Sequence, residues 1–433
     1  MKTEKFDVSI VGAGPAGSIA AERLARDGVQ VFLCDRQEFP RYKCCAAGVL
    51  WHDIEDFPEI KPVIENYNHV FIAHPPSLSR EFKVESQDHY IMGQTYRSTL
   101  DDHLAKLAKK SGADFRDNTR VDDLELLTDK KRIHLKVHDK KNNEDFIVES
   151  KLVIGAGGVK SIVRKKHPEF PNWEKDEILI ACELDVPLSE QKIIDIYGKE
   201  RAVHAFLYFE NLPGYAWIFT KKKSLSLGMG TMLEYKGKTL GGKLLKEKFE
   251  IYCNYLVENG YLPKGQHDLE KTQYALIPST SLKSSKTHGN NALLAGDAAG
   301  AFTSALSGEG IYYSMLSGKF AAMTAKQALK ENKFDDKMLS LYPKLWLKRL
   351  KSELNYQYFA KTYMLESKRR CEKAIRWGLM DNKIRDFMST FFTGAYNIDR
   401  SFLARLIFHY LRLKTKDALG LMGKKEKKKD FES

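Results

Sequence analysis

The chain has 433 residues, 43% of them hydrophobic and 11% aromatic, enough to bury a sizeable interior over two or three domains. Its 70 basic residues against 57 acidic give a formal charge of +13, which favours an anionic partner: a phosphorylated substrate, an acidic bilayer face or nucleic acid. No apolar run has the length of a spanning helix and no signal-peptide pattern opens the sequence, so a cytoplasmic protein is expected, its six cysteines read as reduced thiols without metal-ligand spacing.

The first predicted element is a strand, FDVSIV, that runs into Gly12-Ala13-Gly14-Pro15-Ala16-Gly17 and then a helical pattern. A second strand, Val29 to Cys34, ends at Asp35. Strand, glycine turn, helix, strand and acid in this order suit a dinucleotide. Gly12 permits the tight turn, Gly14 lets backbone approach a pyrophosphate, and Gly17 lets helix and strand pack closely. The helix N-terminus faces the phosphates, and Asp35 accepts from a ribose hydroxyl.

Arg36 to Leu50 reads as a loop, and residues 94–112 carry helical periodicity that ends at Gly112. Charged alternating segments around 130–150 predict a small antiparallel sheet, and Lys151 to Gly155 a buried strand. Residues 178–278 read as strands and connectors. A short buried strand follows at 291–297, then a helix to about 330 and a mostly helical remainder. Tyr215, Trp217 and Phe219 alternate on one strand and would face one way as an apolar wall. Ser401 to Lys416 places Phe402, Leu403, Leu406, Ile407, Tyr410 and Leu411 on one helical stripe among basic residues. That helix either lies on an anionic membrane surface, with the lysine-rich tail 424–429 adding attraction, or docks on the core.

Four segments, in order, resemble the para-hydroxybenzoate hydroxylase-like flavoproteins, which include aromatic hydroxylases, flavin-dependent halogenases and geranylgeranyl reductases. They are the glycine turn at 12–17, Tyr96-Arg97-Ser98-Thr99-Leu100-Asp101, Gly155-Ala156-Gly157-Gly158-Val159-Lys160-Ser161, and Ala295-Gly296-Asp297-Ala298-Ala299-Gly300 followed by Gly308-Glu309-Gly310. Two further segments are similar to the geranylgeranyl reductase branch: the cysteine loop Pro40-Arg41-Tyr42-Lys43-Cys44-Cys45-Ala46-Ala47-Gly48, and Tyr215-Ala216-Trp217-Ile218-Phe219-Thr220-Lys221. Gly157 stands where the family's turn has an acid, alanines replace two loop glycines, and Thr220 replaces a proline.

The resemblance implies an α/β chain (α+β overall). A Rossmann-like FAD-binding domain would comprise 1–60, 90–177 and 285–330. An inserted antiparallel sheet domain for substrate would comprise 61–89 and 178–284, followed by a helical region at 331–420 and a basic tail at 421–433. FAD is the implied cofactor, held by Gly12, Gly14, Pro15, Ala16, Gly17, Asp35, Arg36, Ala47, Gly48, Arg97, Gly296, Asp297, Gly308, Gly310 and Ile311. The implied reaction is reduction of isolated C=C bonds in geranylgeranyl chains, on precursors of archaeal-type ether lipids. Hydride would come from reduced flavin and a proton from Cys45, Cys44 or Tyr215, with Tyr215, Trp217 and Phe219 against the prenylated substrate. NADPH or ferredoxin would supply electrons, and peripheral membrane association is compatible. A flavin monooxygenase or halogenase, or a non-catalytic membrane-binding flavoprotein, shares the scaffold. Nucleic acid is not an expected partner, because no interleaved basic and aromatic motif occurs.

Overall fold

The computed structural model describes residues 1–86, 89–127, 132–279, 286–304 and 307–393, with isolated positions 408, 409, 411, 412 and 415. The predicted stripe over 401–416 thus lies outside the described residues except at those five positions, and the 421–433 tail lies outside them altogether.

Two sheets carry the fold. The first has eight strands around the pair Lys2–Val11 and Glu144–Gly155, which run parallel with Val8 opposite Leu152. Val31–Cys34 lies parallel on the other side of Lys2–Val11, then Asp114–Arg116, while Ala292–Leu294 lies parallel beside Glu144–Gly155. Helices cover such a parallel core, so its strands read as short unbroken apolar runs: Val8, Ile10 and Val11, Val31 to Cys34, and Leu152 to Ile154 are all buried. The alternating segments around 130–150 form no separate sheet. Glu144–Gly155 is 12 residues long, enough for its first half to pair antiparallel with Arg132–Asp139 while the strand continues parallel to Lys2–Val11.

Helix Pro15–Arg26 starts with proline in its first turn, where the missing N–H costs nothing. It packs on Ile311–Glu331, and a side chain at Gly318 would collide with the Ala16 carbonyl. Helix Arg97–Lys110 lies against the same first helix.

The second sheet runs Gln273–Pro278, Ile178–Pro187, Ser224–Met232, Gly214–Thr220, Val203–Leu207, Val70–His74 and Phe82–Glu85. One face buries Cys182, Leu184, Ala216, Ile218 and Leu227 under Leu245, Phe249, Tyr252 and Leu256 of helix Gly241–Glu258. The opposite face turns toward the first sheet's domain. Helices Leu341–Met364, Lys368–Met380 and Asn382–Thr393 close that side, with Tyr356, Ala360, Ile375 and Trp377 in one cluster with Phe71 and Leu207. All six cysteines are free thiols. Among the described residues no helix is long and apolar enough to cross a membrane.

On neighbouring strands of the second sheet, His74 Nε2 and His204 Nδ1 are 2.9 Å apart, one donating to the other, with the His74 ring stacked on Phe206. Burial holds His74 down to about 4; burial first and then His74 hold His204 down to about 3. Both are neutral in the fold. As pH falls below the ordinary histidine range, the unfolded chain gains protons that the folded pair refuses. Stability is therefore expected to drop by about 1.4 kcal/mol per pH unit for each histidine until the folded pair titrates. Urea midpoints above and below the ordinary histidine pKa test this. His204→Gln should lose less stability on acidification than the wild type, and equal losses would contradict the assignment.

Candidate active site

The glycine turn is shaped by what it must avoid. Gly12 has φ +109°, and a Cβ there would sit 2.5 Å from the Ala156 carbonyl oxygen of the neighbouring strand's turn. Its N–H donates to the Cys34 carbonyl at 2.8 Å, which locks the turn to the second strand. Asp35 follows that strand, and its carboxylate accepts from Ala13 N–H and Gln37 N–H, each at 3.0 Å. Further lone pairs on both oxygens stay available for ribose hydroxyls.

Across the turn stand two guanidiniums. A Cβ at Gly14 would be 3.4 Å from Arg41 Nη2 and 4.0 Å from Arg97 Nη2, so the bare glycine keeps a gap between backbone and positive charge. Arg97 makes a bidentate pair with Asp101 (2.9 and 2.8 Å), and Arg41 Nη2 shares the same carboxylate at 2.9 Å. All three residues are buried. Burial opposes the charge on Arg97, and Asp101 beside it more than offsets this, so the guanidinium stays charged. Arg41 Nε is buried without a hydrogen bond. A glycine-floored groove of about 380 Å³, with a helix N-terminus on one side and a buried, incompletely satisfied cation on the other, fits a diphosphate. Pro15, Ala16, Arg36, Gly157, Ser161, Gly296 and Asp297 also line it. Arg36 is exposed at its edge, and its carbonyl accepts from Lys140 Nζ.

Gly17 gives the turn its close helix contact, since a Cβ there would strike the Gly12 carbonyl. At the far end, Gly296 adopts φ +60° and Asp297 accepts from Thr303 Oγ1 at 3.2 Å while pairing with Lys43 Nζ at 3.3 Å. Gly308, Gly310 and Ile311 lead into helix Ile311–Glu331, whose N-terminus points at the same region.

A second cavity of about 260 Å³ adjoins the groove, and Pro15, Lys43, Arg97, Asp297 and Ser314 line both. Its walls are otherwise mainly apolar: Leu50, Phe71, Met92 and Leu207, with Met364 from the helical region. Tyr215, Trp217 and Phe219 all line it, on the face opposite the core residues Ala216 and Ile218. The cysteine loop forms the roof where the cavities meet. Ala47 there has φ +54°, a left-handed conformation that costs a residue with a Cβ about 1 kcal/mol. Gly48 lies next to it against Met92 and Phe219.

The loop is pinned to the second sheet by Glu183. Its Oε2 accepts from Cys45 N–H at 2.5 Å and from Tyr42 O–H at 3.2 Å, and its Oε1 accepts from Ser226 O–H at 2.7 Å. Cys45's thiol lies beside the Arg97 guanidinium. Cys44 Sγ is 3.6 Å from the Gln273 carbonyl, and burial first, then Glu183, push its pKa up. Tyr215 donates its O–H to the Ser307 carbonyl, and burial raises its pKa.

Every residue read from the sequence as a cofactor or substrate contact thus lies at one of these two cavities or, for Gly17, directly behind the turn. Glu183, Asp101, Arg41 and Lys43 went unassigned. For Glu183 a signal existed: it shares parity on its strand with Leu179 and Ala181, which line the cavity. Arg41, Lys43 and Asp101 lay inside segments already singled out, but only the fold turns them toward the groove.

A fold with this diphosphate groove opening onto an apolar pocket belongs to an FAD-dependent oxidoreductase. The family described as "FAD binding domain" matches residues 5–53 and 63–316, and the chain belongs to that family. An uncharacterised protein of Methanosarcina barkeri is 31% identical over 338 residues, 78% of each chain. A digeranylgeranylglycerophospholipid reductase of Methanocaldococcus jannaschii is 28% identical over 362 residues, covering 82% of this chain and 84% of that one. The crystal structure of a geranylgeranyl bacteriochlorophyll reductase-like protein from Thermoplasma acidophilum superposes with TM-score 0.74 at 22% identity, covering 86% of this chain and 91% of that one.

Proposed function

We propose that this protein saturates isolated C=C bonds of geranylgeranyl chains carried by precursors of archaeal-type membrane ether lipids. The observation that carries the reading is the apolar cavity walled by Tyr215, Trp217 and Phe219, which opens directly onto the FAD groove at Pro15, Asp297 and Ser314. Relatives named as geranylgeranyl-type reductases support the same substrate class.

FAD, when bound and reduced, supplies a hydride. The chain's own part is to bind, align and dry. Arg41 and Arg97, which share the single counter-charge of Asp101, would hold the diphosphate end, and Asp35 and Asp297 would accept from cofactor hydroxyls. An isolated alkene offers no carbonyl to polarise, so the pocket needs shape and exclusion of water, which Leu50, Phe71, Met92 and Trp217 provide. Cys45, Cys44 and Tyr215, the proton donors that the sequence offers, line the cavity beside the FAD groove. NADPH or a ferredoxin is the electron source in this reading, and a lipid substrate brings the protein to a membrane face.

Two results follow. Ala205 lines the cavity and is buried. Ala205→Phe should fill part of it, lowering turnover of long prenyl lipids about tenfold or more while FAD content stays at the wild-type level; unchanged turnover would place the substrate elsewhere. The whole reading is tested by mixing chemically reduced protein with a prenylated glycerophospholipid without oxygen and following flavin absorbance. Reoxidation should follow lipid addition. Reoxidation only on admitting oxygen would favour a monooxygenase or halogenase.

A further inference from the structure

We propose that Glu309 stores the proton consumed in alkene reduction, and that Asp53 and His52 position and refill it; this rests on the reductase reading above. Glu309 belongs to the Gly308-Glu309-Gly310 turn and lines the apolar cavity. Its carbonyl accepts from Ser304 N–H at 2.7 Å, which fixes the turn. Both carboxyl oxygens are buried. One of them, an oxygen of Asp53 and a ring nitrogen of His52 all lie within 4.8 Å of one another.

Two carboxyl groups buried this close cannot both carry charge, so one of them keeps a proton at neutral pH. Geometry decides which. Asp53 is fully buried on helix Trp51–Asp56. Its Oδ2 accepts from Leu50 N–H at 2.7 Å, a bond that favours its carboxylate, although burial pushes its pKa up as it does that of Glu309; Glu309 is the one of the two that lines the cavity. Glu309 has no backbone donor of this kind among the described residues, and faces the pocket. Burial first, then the charge of Asp53, drives its pKa well above the ordinary range, with His52 opposing. The other groups around the pair are Asp56 on the same helix, Glu353 and Arg349 on Leu341–Met364, Tyr312 on Ile311–Glu331, Tyr215 on the aromatic strand, and Tyr90.

Polar groups also stand behind the pair. His52 packs edge-on against Tyr312 at 4.9 Å between ring centroids. Tyr312 donates to Asp56 at 2.6 Å and accepts from Arg349 at 3.2 Å, and the Arg349 side chain is 47% exposed. Solvent-reaching polar groups therefore stand beside the Tyr312 ring against which His52 packs, while Tyr215 is occupied with the Ser307 carbonyl.

The step balances as addition of hydride and proton across one double bond. The π bond breaks and two C–H bonds form. One carbon takes the hydride and its electron pair from the reduced flavin, and its neighbour takes the Glu309 proton. Glu309 is left as a carboxylate and regains a proton from solvent through His52 and Asp53.

The experiment has two arms on the full-length FAD-loaded protein. Infrared spectra of the oxidised protein at neutral pH should contain a protonated-carboxyl carbonyl band that shifts in D₂O and is absent from Glu309→Gln. In anaerobic single turnovers of pre-reduced protein, Glu309→Gln should slow lipid reduction about a hundredfold or more, with FAD content unchanged. Glu309→Asp should recover part of the rate, and His52→Asn should alter its pH profile. A missing band in the wild type, a wild-type rate and pH profile in Glu309→Gln, or activity removed by a chelator and restored by a divalent cation would overturn the proposal. A wild-type protein that shows the band but reduces no prenyl lipid would overturn the reductase reading and the delivery step with it, leaving only the stored proton.

Discussion

Asp101→Ala is expected to lose FAD and to unfold at markedly lower denaturant than the wild type. Asp101 is fully buried and is the shared counter-charge of two buried guanidiniums, Arg97 by two hydrogen bonds and Arg41 by one. Removing it leaves Arg97 without its bidentate partner and Arg41 with Asp35, 3.6 Å from its Nε, and the Phe39 ring. Breaking a buried ion pair from one side costs about 3–5 kcal/mol, chiefly because the remaining charge stays desolvated. Here two cations are stranded on the wall that receives the cofactor's diphosphate, so instability and FAD loss should appear together. Asp101→Asn keeps the volume and one acceptor and should fall between. Urea midpoints with FAD content after gel filtration measure both effects. A midpoint and FAD content like those of the wild type would mean the arginines are neutralised by another group.

Glu183→Ala should act on catalysis more than on cofactor retention. The substitution leaves the buried Ser226 O–H, the part-buried Cys45 N–H and the O–H of exposed Tyr42 without their acceptor. Hydrogen bonds to a charged group are worth about 1.5–3 kcal/mol each, and partial rescue by water brings the expected net loss to about 3 kcal/mol. The more telling consequence is positional. Glu183 ties the cysteine loop to the second sheet through its carboxylate, and that loop roofs the junction of the two cavities. Freed, it should misplace Cys44 and Cys45 and admit water, lowering turnover about a hundredfold, while the groove built from Gly12, Arg41 and Arg97 still holds FAD. Glu183→Gln retains one acceptor and should recover part of the rate. Equal losses of FAD and turnover would show that the loop serves cofactor binding alone.

Where backbone geometry imposes a residue type, the sequence disclosed the fold. Gly12 has a positive φ and faces the Ala156 carbonyl, so glycine is required there and its spacing is readable. Tyr215, Trp217 and Phe219 share a face because strand side chains alternate, and that period is visible in one chain. Long-range polar contacts left no such trace. Cys45 and Glu183 are 138 residues apart, and nothing near either names the other. Glu309 sat inside a recognised turn, yet its meaning depends on Asp53, an acid on a short helix with no motif around it. The segment at 130–150 was read as alternating strands, but joining the main sheet depended on the length of Glu144–Gly155 and its second partner, which local pattern does not carry.

The central claim is a chemical change in the lipid, so the product is what should be weighed. FAD-loaded protein, chemically reduced and kept anaerobic, is incubated with a digeranylgeranyl glycerophospholipid, and the prenyl chains are examined by mass spectrometry. Stepwise gain of two hydrogens per double bond, matched by equivalent flavin reoxidation, is the predicted result. A lipid of unchanged mass beside flavin that stays reduced would contradict the assignment of this substrate.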